Sequence, residues 1–274
     1  MIVVTGATGN VGRPLMQALA ATGRKVRAVS RTAAADLPAG IEHRRADLLR
    51  TEELEPALTG AQTVFLLTSG EFLGARGDLG AVVKAVRSAG GRRVVLLSSQ
   101  GVGTGNHPSE AEDAVRDSGL EWTILRPGNF ASNALQWAES VRSERAIAAP
   151  FADIALPVID PADIAAVAAA VLLDDSHGSK TYELTGPEPV SPRQQAATLG
   201  ATLGEPVRFT ELSRAQARQR MVQFMPAPVV ESTLDMLGNP APALQQVSPD
   251  VDKVLGRAPH TFAEWAVHNS AAFR

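Results

Sequence analysis

The sequence predicts an α/β fold in which a doubly wound parallel sheet is joined to a smaller C-terminal α/β portion. Two observations support this prediction. Over about the first 130 residues, short β-rich segments alternate with segments of helical periodicity, a pattern typical of a parallel sheet with helices on both faces. Beyond Pro127 the alternation weakens and prolines become frequent, which predicts shorter helices and strands there.

The elements of the N-terminal part follow one another in a regular order. We predict strands at residues 2–5, 26–30, 43–46, 63–68, 93–99 and 122–125. Helices between them end near Gly23, Gly60 and Gly90, because glycine adopts the left-handed backbone that often follows a helix. Thr51 is the expected N-cap of one of these helices.

The C-terminal part shows helix starts of a different kind. Asp160-Pro161 and Ser191-Pro192 each place a capping side chain before a proline at the first helical position. Ligands of doubly wound sheets bind outside the carboxyl ends of the strands, so we expect this part to provide the substrate side of the site. The expected organisation is a cofactor-binding domain at 1–150 and a substrate-binding portion at 151–274, with an approximate boundary.

Composition excludes several classes of protein. The 274 residues are 45% hydrophobic and 20% charged, as in globular proteins with a large core. The chain has no cysteine, which excludes disulfides, thiolate metal sites and a cysteine nucleophile, and its five histidines do not occur at ligand spacing, so no metal is expected. The net charge is −3 without a Lys/Arg block, which predicts no nucleic-acid partner. No apolar segment approaches the ~20 residues of a membrane span, so we expect no membrane association and a cytoplasmic protein.

A glycine-rich loop follows the first predicted strand. Its glycines open a helical segment, and in this context they allow a tight turn and a close approach of the backbone to a pyrophosphate at the helix N-terminus. The alternative is a purely structural glycine turn. We expect a dinucleotide-binding sheet of the Rossmann type, with cofactor contacts from Gly6, Thr8, Gly9, Asn10, Val11 and Gly12.

The residue after the second predicted strand indicates which dinucleotide binds. A protein that prefers NAD usually carries an acidic residue there for the ribose 2′-hydroxyl, but this chain has Arg31. A guanidinium offers forked donors to a 2′-phosphate, so NADP(H) is expected and NAD(H) is the less favoured cofactor. The alternative is that Arg31 is a solvated loop arginine.

Further segments carry a family resemblance along nearly the whole chain. They are GATGNVG from Gly6, SRT from Ser30, ADL from Ala46, LLTSG from Leu66, VVLLSSQG from Val94, SGLEWTILRPGNFASN from Ser118, DPADIA from Asp160, YELTGPE from Tyr182 and GRAPHTFAEWA from Gly256. With these segments the sequence resembles the NmrA-like family of atypical short-chain dehydrogenases. That family includes NADPH-dependent quinone reductases, azoreductase-like enzymes and NADP-sensing regulators.

The resemblance implies cofactor contacts beyond the glycine loop. Carried over by position, Asp47 and Leu48 lie beside the adenine, and Leu67, Thr68 and Ser69 lie beside the ribose next to the nicotinamide. Pro127 to Phe130, including Asn129, lie beside the nicotinamide ring, and Ser98 is a further expected contact.

The sequence departs from ordinary short-chain reductases at the proton donor. Those enzymes use a tyrosine with a lysine four residues later, but counting back from Glu112 puts Thr104 and Pro108 in these positions, and the only tyrosine is the distant Tyr182. Weak catalytic candidates remain. Ser98 lies with Ser99 at the end of a predicted strand, where it is either a hydrogen-bond donor to the substrate or only the polar end of a core strand. His107 is either a proton donor near neutral pH or an exposed loop residue. Asp160 and Asp163 are better explained by helix capping than by acid–base chemistry.

Aromatic and methionine side chains beyond the sheet suggest an apolar substrate pocket. Phe130, Phe151 and Phe224 are the expected substrate contacts, and Trp137, Met221 and Met225 are further candidates. Core packing is the alternative for all six, and it is favoured for Trp137 and Met221. A pocket of this kind suits a flat, weakly polar acceptor such as a quinone.

The function predicted from these residues is an NADPH-dependent oxidoreductase that transfers hydride directly to a quinone-like or conjugated small-molecule acceptor. The alternatives are a non-catalytic NADP(H) sensor that reports to a protein partner, and a reductase or isomerase dedicated to one biosynthetic intermediate. The sequence determines neither the substrate nor the oligomeric state, for which a homodimer is one option.

Overall fold

A computed structural model of the chain describes residues 1–33, 36–68 and 70–274. Its strands are β1 (Ile2–Thr5), β2 (Val26–Ser30), β3 (Glu42–Arg45), β4 (Thr63–Leu67), β5 (Arg93–Leu97), β6 (Glu121–Pro127), β7 (Asn129–Phe130), β8 (Ala146–Pro150), β9 (Leu156–Ile159), β10 (Lys180–Leu184), β11 (Pro189–Val190) and β12 (Arg208–Leu212).

The helices alternate with these strands. They are α1 (Gly12–Ala20), α2 (Thr51–Leu58), α3 (Gly70–Gly74), α4 (Leu79–Ser88), α5 (Gln100–Gly103), α6 (Glu110–Arg116), α7 (Ala138–Glu144), α8 (Pro161–Leu173), α9 (Pro192–Leu203), α10 (Arg214–Met221), α11 (Ala227–Gly238), α12 (Asp250–Leu255) and α13 (Phe262–His268). Short 3₁₀ helices cover Ala131–Trp137, Asp175–His177, Pro242–Gln245 and Ser270–Phe273.

The chain divides into two compact units. The first contains Met1–Pro127, Pro161–Leu184 and Asp250–Arg257, and the second contains Gly128–Asp160, Thr185–Pro249 and Ala258–Arg274. The chain therefore leaves the first unit and returns to it twice. The functional division into residues 1–150 and 151–274 stays a prediction.

The first unit is built on a parallel sheet of strand order β10-β6-β5-β4-β1-β2-β3. Successive residues of a strand face opposite sides of the sheet. Accordingly Val64 and Leu66 of β4 join a core cluster with α2, α4 and α6, whereas Phe65, between them, is buried outside that cluster. The order reverses at β1, whose two neighbours are β2 and β4, and such switch points are where ligands bind in doubly wound sheets. The α/β Rossmann fold predicted from the sequence is confirmed.

Most predicted elements are present, with differences at their ends. The third strand begins and ends one residue earlier than predicted, and β4 and β5 stop before Thr68 and Ser98. The prediction for Thr51 is wrong, because Thr51 is the first residue of α2 and Arg50 holds the N-cap position. Ser191 does cap α9, in a reciprocal capping box with Gln194.

The second unit is smaller and more irregular, as the prolines predict. It holds a three-stranded sheet of order β11-β9-β7 and a parallel pair of β12 with β8. Its main core cluster includes Phe262, Trp265 and Phe273, with Trp137 packed against it. In the described part of the chain no helix is long and apolar enough to cross a membrane.

Candidate functional site

The glycine loop joins β1 to α1 as the sequence predicts. Gly6 has φ +66°, a left-handed conformation that favours glycine, and the N–H of Gly9 donates to the Gly6 carbonyl oxygen at 3.0 Å. A Cβ on Gly12 would lie 2.1 Å from that same oxygen, so the turn closes only because position 12 has no side chain. A Cβ on Gly9 would meet the Gly6 oxygen at 3.3 Å, so Gly9 is less restricted by the fold.

The N-terminus of α1 is left open by this loop. None of the described side chains caps the helix, and its first turn contains no acidic residue. Gly9 and Asn10 are exposed, whereas Val11 is buried at the N-cap position. In the first turn of α1 the Arg13 N–H donates to the Gly9 carbonyl oxygen at 2.9 Å, and Pro14 has no N–H. Because a helix N-terminus carries a partial positive charge, this end of α1 can still accept the phosphates of a dinucleotide.

A cavity of about 450 Å³ lies at the ends of β2 and β3. Its lining is rich in charged side chains and consists of Arg31, Arg45, Ala46, Asp47, Arg50, Glu53 and Pro56. The structure thus brings Arg31 and Asp47, two predicted cofactor contacts, to one cavity. It adds Arg45, the last residue of β3, and Arg50, five residues further on; neither was predicted as a cofactor contact. Three guanidinium groups make this cavity suitable for a phosphate.

Two of the arginines that line this cavity form ion pairs with acidic side chains. Arg31 forms an ion pair with Glu71 on α3, and this hydrogen bond raises the pKa of Arg31. Arg50 contacts Glu53 at 3.0 Å. All four side chains are at least one third exposed, so these pairs contribute little to stability and can be exchanged for another anion.

The ends of β4 and β6 hold further predicted contacts. Leu67 is the last residue of β4, and its N–H donates to Thr5 Oγ1 at 2.9 Å. Thr68 follows it, Pro127 ends β6, and Leu48 packs partly buried against the sheet cluster. Ser69 lies outside the described residues. Apart from Ser69, these positions adjoin the carboxyl edge of the sheet, and their cofactor contacts stay predictions.

Ser98 makes a short hydrogen bond to a buried carboxylate. Its hydroxyl donates to Glu112 Oε1 at 2.5 Å, and the fully buried Glu112 also accepts hydrogen bonds from Arg126 and Arg116. Burial alone would raise the pKa of Glu112, but hydrogen bonds from Arg126, Ser98 and Arg116 outweigh it and hold this pKa below its ordinary value. Because Glu112 is therefore ionised, the single proton of Ser98 is used inside the protein.

Ser99 and His107 form a second pair at the same strand end. His107 Nδ1 lies 3.0 Å from Ser99 Oγ, and the N–H of Gly101 donates to this oxygen at 3.1 Å. His107 is exposed, as expected, but its ring has a defined contact, and partial desolvation lowers its pKa. The sequence analysis named both residues without pairing them.

The only tyrosine of the sequence is hydrogen-bonded to a histidine of the chain. Tyr182 lies in the middle of β10, and its hydroxyl is 2.6 Å from His177 Nδ1. Burial raises the pKa of Tyr182, which makes it a weaker acid. Thr104 lies at the position where a catalytic tyrosine would occur, and its hydroxyl is 2.7 Å from Asn106 Oδ1 and 3.2 Å from the Gly101 carbonyl oxygen.

Two aspartates near the start of α8 have basic side chains beside them. Asp163, which is fully buried, contacts Arg257 at 2.7 Å, and Asp160 lies 3.5 Å from His260. Asp163 therefore forms an ion pair with Arg257, which was not predicted from its position near the start of a helix. Among the described residues, no group of three or more histidines and acids could hold a metal ion.

The candidate substrate residues of the second unit lie in different environments. Phe151, with a positive φ of 56°, packs against the cluster of Leu212, Ala217, Val230 and Leu234, together with Met221 and Met225. Phe224 is 83% exposed. Phe130 is half-buried on β7, beside Asn129, whose side chain accepts a hydrogen bond from Asn133. Packing accounts for Met221 and Trp137, whereas substrate contacts by Phe130, Phe151 and Phe224 stay predictions.

Comparisons with known proteins agree with this geometry. The family model described as NAD(P)H-binding matches residues 6–175. A (4-alkanoyl-5-oxo-2,5-dihydrofuran-3-yl)methyl phosphate reductase of Streptomyces griseus is 36% identical, over all of this chain and 99% of that protein. An NAD(P)H azoreductase of Xenophilus azovorans is 32% identical, again over all of this chain and 99% of that protein.

Solved structures extend the comparison. The NADPH-dependent quinone oxidoreductase of Escherichia coli in complex with NADPH superimposes with a TM-score of 0.82 at 27% identity, covering 98% of this chain and 99% of that one. The transcriptional regulator NmrA in complex with NAD shares the fold, with a TM-score of 0.76 at 20% identity over 97% of this chain and 94% of that one. The resemblance to NmrA-like proteins is confirmed. With a glycine loop at the switch point of a parallel sheet and a family match over more than half its length, the chain belongs to the NAD(P)H-binding family.

Proposed function

We propose that this protein is an NADPH-dependent reductase that delivers hydride directly to a conjugated acceptor such as a quinone. The observation that carries the proposal is that the only tyrosine is bonded to His177 in the middle of β10 and Thr104 and Pro108 replace the usual acid pair. An acceptor that becomes a stabilised anion needs no such acid.

The chain offers hydrogen-bond donors both for the pyrophosphate and for the 2′-phosphate of NADP(H). The open N-terminus of α1 provides N–H groups for a pyrophosphate. Arg31, Arg45 and Arg50 line a cavity large enough for a nucleoside phosphate. Because a guanidinium binds phosphate through parallel N–H groups, this lining supports NADP(H) over NAD(H), as predicted from Arg31.

When bound, NADPH supplies the hydride, and the protein has to align donor and acceptor and exclude water. A ketone that gives an unstabilised alkoxide gains ~10²- to 10⁴-fold from a positioned acid, which this chain lacks at the usual position. A quinone delocalises the negative charge that it acquires and can take its proton from water afterwards. The residues at the carboxyl end of β5 therefore have only to stabilise an oxyanion.

The names of the similar proteins support an acceptor of this chemical class. By these names, the three proteins reduce a quinone, azo compounds and an acyl dihydrofuranone phosphate. Each of these compounds contains a conjugated system. The proposed substrate class is therefore a conjugated carbonyl or azo compound, and a phosphorylated furanone is a member to be tested beside quinones.

The test is NADPH oxidation, followed by the absorbance of the reduced nicotinamide, with a panel of quinones, azo dyes, acyl furanones and unactivated ketones. We expect turnover with at least one conjugated acceptor and none with the ketones. If no acceptor is reduced while NADPH changes the protease sensitivity of the protein, the proposal is wrong and the protein is a cofactor sensor.

A further inference from the structure

The carboxyl end of β5 carries two adjacent hydroxyl groups with different hydrogen-bond partners. We infer that Ser99, oriented by His107, is the hydroxyl that donates a hydrogen bond to the acceptor's oxygen as negative charge develops there. The inference rests on the proposed reduction and specifies which side chain meets the substrate. Ser99 is then a catalytic residue, and His107 is a positioning residue.

Ser98 is unsuited to this task because its proton is already donated. The 2.5 Å hydrogen bond to Glu112 ends on a fully buried carboxylate that the partly exposed Arg126 and Arg116 hold ionised. A serine has one O–H donor. If Ser98 turned its proton toward a substrate, Glu112 Oε1 would lose a short hydrogen bond inside the protein. A weak hydrogen bond to the substrate does not compensate for that loss.

Ser99 has the opposite arrangement. Its oxygen accepts from the N–H of Gly101 at 3.1 Å, and His107 Nδ1 lies 3.0 Å away. If Nδ1 carries the proton, both lone pairs of the serine oxygen are occupied by N–H donors, and the hydroxyl proton is left to point elsewhere. Two donors on one oxygen also strengthen its own O–H as a donor.

The position of the histidine ring is built into the loop that follows α5. The N–H groups of Asn106 and His107 both donate to the Gly101 carbonyl oxygen, at 2.8 and 3.0 Å. The ring lies directly over Gly101, where a Cβ would come within 2.6 Å of Nδ1. Gly101 therefore makes room for the ring, and the loop holds Nδ1 against Ser99. The lowered pKa of His107 favours a ring with a single N–H near pH 7, and we assign that N–H to Nδ1, which faces Ser99 Oγ.

Topology puts this hydroxyl at the correct edge of the sheet. Ser99 is two residues beyond the end of β5, which lies between β4 and β6. The ends of those strands hold Leu67, the expected neighbour of the ribose next to the nicotinamide, and Pro127, an expected neighbour of the nicotinamide ring. An acceptor that takes hydride with both electrons becomes an oxyanion; Ser99 stabilises it, and it then takes a proton from water. Neither Ser99 nor His107 changes its protonation state.

The first test measures the tautomer of His107 in the ligand-free protein. Long-range ¹H–¹⁵N spectra of protein labelled at histidine, with the resonance assigned by its loss in His107→Asn, should show Nδ1 protonated at pH 7. Ser99→Ala should shift the ring toward the Nε2–H tautomer. An unprotonated Nδ1 in the unmodified protein, accepting from Ser99, would overturn the inference whether or not the protein reduces any acceptor.

The second test uses paired variants with NADPH and menadione. Ser99→Ala should lower kcat on the order of tenfold, and Ser99→Thr should restore it. The expected loss is smaller than the ~10²- to 10³-fold seen for other oxyanion donors, because a quinone already delocalises the negative charge. His107→Ala should lower kcat, whereas His107→Asn, whose amide N–H replaces Nδ1–H, should retain it. Ser109→Ala removes an exposed hydroxyl of the same loop that donates to Asp113 of α6, and it should leave kcat unchanged.

The outcomes separate this inference from the proposed function. If the unmodified protein reduces quinones and Ser99→Ala does so equally well, the assignment of Ser99 is wrong and the reductase stands. If kcat falls equally in His107→Ala and His107→Asn, the histidine acts only through the structure of the loop, which also contradicts the inference. If no acceptor is reduced at all, the proposed function fails and the tautomer measurement decides the pairing.

Discussion

The guanidinium of Arg31 at the end of β2 is paired with the carboxylate of Glu71 on α3. The cation expected to bind the 2′-phosphate is therefore held by an acid of the same chain. Both side chains are about half exposed or more, and an exposed pair of this kind is worth only ~0.2–1 kcal/mol. A phosphate with two negative charges can displace the carboxylate.

Arg31→Ala should weaken NADPH binding by tenfold or more, because a hydrogen bond to a charged group contributes about 1.5–3 kcal/mol. NADH binding should be almost unchanged, since NADH has no 2′-phosphate. Isothermal titration calorimetry with both cofactors measures the two effects. Arg220→Ala, an exposed arginine on α10, is the matched control. Equal affinity of the unmodified protein for NADH and NADPH would contradict the assignment of Arg31.

Glu71→Gln should tighten NADPH binding about two- to fivefold, the factor that corresponds to the loss of an exposed ion pair. The glutamine no longer competes for Arg31, and NADH affinity should stay the same. The measurement is the same titration at low and high salt, because the effect should shrink as screening increases. A weaker affinity for NADPH in this variant would mean that Glu71 helps to position Arg31.

The loop glycines should respond differently to alanine. Gly12→Ala places a methyl group 2.1 Å from the Gly6 oxygen, so the loop has to rearrange and the melting temperature should fall. Gly9→Ala meets only a 3.3 Å contact and should fold normally, yet its methyl group should obstruct the pyrophosphate and abolish NADPH binding. Circular dichroism melting and cofactor titration check the two effects. Normal NADPH binding by Gly9→Ala would remove the loop from the site.

Glu112→Gln should lower the free energy of unfolding at pH 7 by about 1.5–3 kcal/mol, because the buried carboxylate loses its charge-assisted hydrogen bonds from Arg126 and Arg116. Glu183 and Asp113 still pair with these arginines. The pKa of Glu112 is held below its ordinary value of 4.5, so its contribution to stability is complete above that value and is lost as pH falls through the lowered folded-state pKa. Denaturant titrations from pH 7 to 3 should show the two proteins converging in acid. Glu110→Gln, on the exposed side of α6, should have almost no effect.

Unactivated ketones should be reduced at least 10²-fold more slowly than quinones of similar size, since a positioned general acid is worth ~10²- to 10⁴-fold. The ratio of kcat/KM for menadione and for a cyclic ketone measures this preference. Efficient reduction of the ketone would show that the chain contains an acid other than the tyrosine and lysine of ordinary short-chain reductases.

The sequence by itself determined the fold and predicted where the cofactor binds. Alternating β-rich and helical segments specify a parallel sheet because hydrophobic periodicity and turn chemistry act between near neighbours. The same local reasoning located the glycine loop, the role of Gly6 and Gly12, and the end of β2 at which Arg31 lies. The predicted N-cap role of Thr51 was wrong because α2 begins at Thr51 itself, one residue earlier than predicted. A capping role depends on that single position.

Only the tertiary structure decided how the side chains of the site are paired. Ser98 donates to Glu112, 14 residues away, whereas its neighbour Ser99 contacts His107, and no local pattern distinguishes the two serines. Arg31, Arg45 and Arg50 share one cavity because β2 and β3 lie side by side in the sheet. Hydrogen-bond partners depend on which distant elements pack together, and this packing is set by the whole core rather than by neighbours along the chain.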